Sequence, residues 1–196
     1  MTESFPRQQA RTRRFSLGVP RSFRVSPDGS RVAFLRSKTG TDPLTCLWQL
    51  HLPASPEGSA QEELVADPAA LDAAEGDLPA AEKARRERVR EQAGGIVSYA
   101  TDRDLRVAVF ALGGRVYVAD LADLGHPAGP PRELPVRAPA LDPRPDPDGG
   151  RIGYVSGGAL HVLDVAAATD QVLADPDGQA RVVYGLAEFI AAEEMD

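Results

Sequence analysis

The chain predicts an all-β fold assembled from a repeated unit of short strands, and three observations carry that prediction. One turn-and-strand pattern recurs three times, as VSPDGSRVAFLR at 25–36, DRDLRVAVFAL at 102–112 and DPDGGRIGYV at 146–155. Gly113-Gly114 and Gly157-Gly158 each separate two alternating apolar segments, which is the chemistry of a tight hairpin. Gly and Pro number 18 and 17 among 196 residues while aromatic residues make up 6%, so the chain is rich in turns and poor in large apolar side chains.

The elements follow in order within each copy. A polar turn leads into Arg and then an alternating strand, with Val32 and Phe34, Val107 and Val109, or Ile152 and Tyr154 on it. A second strand comes next: LTCLWQLHL at 44–52, RVYVADL at 115–121 and ALHVLDV at 159–165. A short last segment closes the unit as EELVADP, RELPV or QVLADP. Turn, strand, turn, strand, loop and strand make most of a four-stranded propeller blade. Arg106 to Arg151 spans 45 residues, within the usual blade period of about 40 to 45. Arg31 to Arg106 spans 75, so the first unit carries an insertion, placed by its Ala, Glu and Arg content at about 66–94.

That insertion predicts a loop and then a helix from about Pro79 to Gln92, stopped by Gly94-Gly95. The helix has no continuous apolar stripe, and a charged partner is what holds such a helix in place. Arg86 and Arg90, at i and i+4, share one side of it, and Arg88 lies elsewhere. The predicted architecture is therefore a partial β-propeller over 21–196, of about three blades with WD40-like or TolB-like repeats and one inserted Arg-rich helix. A basic arm at 1–20 precedes it, and a further blade starts at 181–196. Three blades do not close a ring, since closed propellers take about four to eight, so the expectation is part of a larger protein.

Charge narrows the partners. The net charge of −7 argues against nucleic acid, whose binding needs clustered Lys and Arg. Residues 1–36 nevertheless hold eight Arg against Glu3 and Asp28, and this end is expected to be a solvated basic tail. One cysteine, Cys46, excludes an intrachain disulfide and a multi-Cys zinc site. No run of 18 apolar residues and no apolar signal core are present, which predicts a cytoplasmic protein without a membrane span.

Most enzyme signatures are missing from the sequence: there is no G-x-S-x-G elbow, G-x-G-x-x-G loop, Walker sequence or H-E-x-x-H. No cofactor or metal is predicted. His51 and His161 are expected at near-equivalent strand positions of two repeats, as polar residues near turns. Cys46 is expected to be a small core residue, and Asp28, Asp148 and Asp177, each before Gly, to form turns. The informative segment is LAEFIAAEEM, made of good helix formers, with Leu186, Phe189 and Ile190 at i, i+3 and i+4. Glu193 and Glu194 fall where that stripe asks for apolar residues. On a helix both carboxylates can converge on one small cation, and a bound ammonium would relieve their repulsion. An acidic chain end in water satisfies the same spacing.

AEFIAAEEMD, preceded by a propeller repeat and by ARRERVREQAGGIVSY, resembles the N-terminal propeller of the dipeptidyl peptidase IV family of serine exopeptidases, closest to its cytoplasmic and bacterial members. The resemblance covers most of residues 20–196, with two separated motifs in the family order. It implies that Glu193 and Glu194 hold the free N-terminal amine of a peptide substrate. It also implies that an Arg of the inserted helix grips the carbonyl of the substrate's second residue, with Arg90 favoured and Arg86 the same-face alternative. The family's Ser, Asp and His triad lies in a C-terminal α/β-hydrolase domain that these 196 residues do not contain. The chain alone is thus expected to be inactive, and the isolated part-propeller poorly stable. The intact protein, a homodimer in this reading, would remove N-terminal dipeptides. The competing class is a non-catalytic β-propeller interaction module.

Overall fold

A computed structural model describes residues 3–55, 57–71, 94–121, 129–179 and 182–187. After a short helix α1 (Phe5–Arg11), the chain folds into three sheets taken in sequence order. The first contains β1 (Arg21–Val25), β2 (Arg31–Ser37), β3 (Leu44–His51) and β4 (Gln61–Ala66) as an antiparallel meander. A two-residue strand, β5 (Gly94–Gly95), joins it parallel to β3. The second is the meander β6 (Ala100–Thr101), β7 (Val107–Leu112), β8 (Arg115–Asp120) and β9 (Arg132–Glu133). The third is β10 (Leu141–Pro145), β11 (Arg151–Ser156), β12 (Ala159–Asp164) and β13 (Thr169–Ala174).

The repeat extends to individual hydrogen bonds. Each first hairpin closes on one polar residue, Ser26, Asp102 or Asp146, whose N–H donates to the carbonyl of Arg31, Val107 or Arg151 at 2.9, 3.3 and 2.8 Å. The same residue's side chain accepts the N–H groups of the far arm: Ser26 Oγ from Arg31, Asp102 Oδ1 from Arg106 and Val107, Asp146 Oδ1 from Gly150 and Arg151. Within the first turn Asp28 is held down to about pKa 2, chiefly by the Ser26 hydroxyl and then by the Ser30 N–H and hydroxyl. Each second strand then leaves through an equivalent bond, from Leu52 to Ser30, Leu121 to Arg106, and Val165 to Gly150, at 2.8, 2.7 and 3.0 Å.

First and third sheets also share their irregularities. The register of β1 on β2 shifts between Arg21 and Arg24, and that of β10 on β11 between Leu141 and Arg144. Ser22 and Asp142, at the two bulges, take positive φ of 57° and 46°. The register of β4 on β3 and of β13 on β12 slips at matching places, Leu47/Trp48 and Leu160/His161.

The sheets stack face to face in chain order, because alternation gives each strand two apolar faces. Ala33, Leu35 and Leu47 at the back of the first sheet pack against Ala108, Phe110 and Tyr117 at the front of the second. Val109, Val116 and Val118 at the back of the second pack against Ile152, Tyr154 and Leu163 at the front of the third. Each front carries a directly opposed ring pair: Phe34 and Trp48, Phe110 and Tyr117, Tyr154 and His161. The last two pairs stack at 5.7 and 4.9 Å and are buried under the preceding sheet. The first pair is covered differently, by Phe23 at 6.1 Å from Phe34 and by the Arg36 guanidinium, 4.5 Å from the Trp48 ring and itself paired with Glu62.

Two expectations change. In the second copy Val107, not Arg106, stands where Arg31 and Arg151 stand, so Arg106 matches Ser30 and Gly150. His161 is equivalent to Trp48 and Tyr117, three positions away from the place matching His51. Gly94-Gly95 form the strand β5, where Gly95 at φ +79° lies so close to β3 that a Cβ would meet the Thr45 carbonyl oxygen at 2.6 Å, and the helix expected before them at about 79–92 lies outside the described residues. The basic arm contains α1, with no buried residue, and Gly18 N–H tied to Ser37 Oγ at 2.8 Å. Among the described residues no helix is long and apolar enough to cross a membrane.

Candidate functional site

The residues that the sequence singles out, Glu193, Glu194, Arg86 and Arg90, lie outside the described residues. What the fold describes is the surface leading to the double-Glu segment. Residues 182–187 run across the back of the third sheet, where the Tyr184 N–H donates to Gly158 O at 2.9 Å. Ala140 makes the same bond to Gly114 O at 2.8 Å just before β10, and Ile96 to Thr45 O at 2.9 Å four residues before the start of β6. Gly185 then lies so close to the third sheet that a Cβ would stand 2.9 Å from Val155 and 3.0 Å from Leu160. Glu193 and Glu194 follow six and seven residues after Ala187.

Beside this segment the back of the third sheet forms an open groove of about 540 Å³. Its floor is Gly153 and Val162, and its walls are Arg144, Arg151, Asp164 and Gln171. Gly153 makes room for it, since a side chain there would rise from the sheet centre. The carboxylates are committed locally: Asp146 to its turn, Asp164 to the Ala166 and Ala167 N–H groups at 3.1 and 2.9 Å. Arg144 pairs with Asp142 at 3.1 Å. Arg151, exposed at the rim, has no such carboxylate partner among the described residues, which makes this edge a donor surface for carbonyl or anionic groups. The sequence signal for the groove was a glycine inside an alternating strand.

Among the described residues, His161, His51, Cys46 and Tyr99 serve the fold. His161 is buried, stacked on Tyr154, with Nδ1 3.0 Å from Asp170. His51 is buried with Nε2 3.4 Å from Glu63. Cys46 is fully buried, and desolvation pushes its thiol up to about 11, the opposite of an activated thiolate. Burial likewise raises the Tyr99 phenol, whose hydroxyl sits 2.6 Å from Ser22 O and 2.8 Å from Ala33 O and ties the second unit to the first. Among the described residues no group of three or more His, Cys, Asp and Glu could hold a metal ion. No protein-family model matches the chain.

Proposed function

We propose that the three stacked sheets are successive blades of a β-propeller, and that the chain is the substrate-recognition propeller portion of a dipeptidyl-peptidase-like serine peptidase. In this reading Glu193 and Glu194 take the free N-terminal amine of a peptide, while Arg90, or Arg86 on the same face, takes the carbonyl of its second residue. Anchoring the amine leaves only the second peptide bond within reach of a nucleophile, which explains release of dipeptides by geometry alone. The nucleophile, base and acid belong to a C-terminal α/β-hydrolase domain following the acyl-enzyme route. The protein is cytoplasmic in this proposal, forms a homodimer and needs no cofactor.

The observation that carries the blade reading is the bond-by-bond equivalence of the three units, including the lead-in bonds of Ile96, Ala140 and Tyr184. That equivalence supports reading the residues after Ala187 as the opening of a fourth unit, with the paired acids near its start. The peptidase reading rests on the AEFIAAEEMD and ARRERVREQAGG motifs. Reading the gene past Asp196 tests it. Further blades followed by a G-x-S-x-G elbow are expected, and a stop codon after one or two more blades would return the chain to a non-catalytic interaction module.

A further inference from the structure

Each sheet finishes in a strand, β4, β9 or β13, that no other described strand pairs on its far side. Such an edge presents a row of backbone N–H and C=O groups to any passing chain, and folds guard it with short strands, prolines and charges. Two of these three edges are guarded. β9 has only two residues, between Pro131 and Pro135, and β4 carries Glu62 and Glu63 at adjacent positions. β13 lacks these devices. Its six residues, TDQVLA, include no proline, and their one charge, Asp170, is bound to His161 Nδ1 on β12 at 3.0 Å. Val172 and Leu173 stand 44% and 56% exposed. The second and third sheets stack on the sheets before them and leave β4 and β9 at the margin, so a further unit on the back of the third sheet leaves the edge of β13 open in the same way.

Charge decides which chain fits. Residues 152–180 hold Asp164, Asp170, Asp175 and Asp177 and neither Lys nor Arg, and Asp175 and Asp177 follow β13 directly at exposed positions. Pairing β13 with β13 of a second copy sets these four carboxylates against the same four. We propose that β13 instead takes an extended basic segment of another protein as a further strand of the third sheet. Backbone hydrogen bonds along the edge supply the affinity, a β-branched side chain lies beside Val172, and Lys or Arg at the flank meets Asp175 and Asp177. A six-residue edge buries less than a standard interface, so the association is weak and transient. The proposal rests on the sheets alone and is independent of the peptidase chemistry.

The probe is the peptide acetyl-Lys-Lys-Thr-Val-Thr-Val-Thr-Lys-Lys-amide, added to the protein of the complete reading frame. Its blocked N-terminus keeps it out of an amine-anchored site, so failure to bind here leaves the peptidase reading untouched. With peptide in excess, amide hydrogen exchange over Thr169–Ala174 should slow by about 10-fold or more. The same peptide with Glu in place of Lys should bind about 10-fold more weakly or worse. A version N-methylated at alternate residues should give no protection, because it cannot pair along the edge. Val172→Lys, at an exposed position, puts a cation on the edge and should weaken binding of the Lys peptide about 10-fold. If that variant does not fold, the peptide series on the unaltered protein carries the test. Unchanged exchange over Thr169–Ala174, or equal binding of the Glu or N-methylated peptide, would overturn the proposal. Protection of this strand that grows with protein concentration and without peptide would also overturn it, by placing a second copy on the edge.

Discussion

Arg31 donates a hydrogen bond of 3.0 Å to the carbonyl of Leu121, a residue 90 positions later, and so joins the first hairpin turn to the end of β8. A second bond from the same guanidinium reaches Asp104 O. One side chain thereby satisfies two loop carbonyls that the stacking of sheets would otherwise leave without a donor. Arg31→Ala should cost about 1–2 kcal/mol in urea denaturation, the range of bonds to a charged, part-exposed donor. Lysine, which cannot fork, should restore less than half of that loss. A neutral Arg31→Ala variant would show that the first two sheets are held by apolar packing alone.

The turn residue of the second unit should matter more than that of the first. Asp102 is buried and accepts from Arg106 N at 2.7 Å and Val107 N at 2.9 Å, whereas Ser26 accepts only from Arg31 N at 3.0 Å. Asp102→Ala should lose about 2–3 kcal/mol and Ser26→Ala about 1 kcal/mol, since the two residues are equally buried and the first change orphans two backbone N–H groups, the second one. Equal losses in chemical denaturation would contradict this ordering.

Leu105 holds φ +55° where the other two units place Gly29 and Gly149, at +72° and +74°. Its side chain is 1% exposed in the core between the first and second sheets, so burial offsets the backbone strain. Gly29 has open space around its Cβ position, and Gly29→Ala therefore isolates the backbone cost, about 1 kcal/mol. Leu105→Gly removes strain but opens a cavity and should destabilise by about 1–3 kcal/mol. A more stable Leu105→Gly protein would mean that the strain outweighs the packing.

Cys46 makes alkaline pH a probe of the core. Its thiol is pushed from 9.0 to about 11 by burial, so between these values the folded chain retains a proton that the unfolded chain has lost. Stability from this group is complete below about pH 9 and declines as pH rises towards 11. Cys46→Ala should flatten that decline, leaving the contribution of Tyr99, whose pKa is also raised. Native protein at pH 8 should react slowly with a thiol reagent and quickly once unfolded. Rapid labelling without unfolding would place the thiol at the surface.

Much of this architecture was legible because its turns are written in Gly, Asp and Pro. SPDG and DPDGG mark two first hairpins, and Gly113-Gly114 and Gly157-Gly158 mark two second ones. The one-residue offset of Arg106 was hidden because DRDL replaces glycine by Leu105, a substitution that only burial makes tolerable. β10 was missed as a strand because LDPRP carries two prolines, which sit in an inner strand paired on one side only, with β11. His51 and His161 looked equivalent by their distance from the turn, yet the longer loop between β2 and β3 shifts the count. The amine site was legible only as a motif, and its residues lie outside those the structure describes.

The most direct measurement is steady-state hydrolysis of dipeptide amides, with free and with acetylated N-termini, by the protein of the complete reading frame. The account predicts that the wild type cleaves only the free-amine substrate. It predicts that Glu193→Gln or Glu194→Gln lowers kcat/KM by about 10- to 100-fold with the fold intact, since each charge-assisted bond to the amine is worth about 1.5 to 3 kcal/mol. Arg90→Ala should lower turnover, and Arg88→Ala should do so less. Equal cleavage of acetylated substrate, or unchanged kinetics in both Gln variants, would contradict the assignment of the paired acids as the amine anchor.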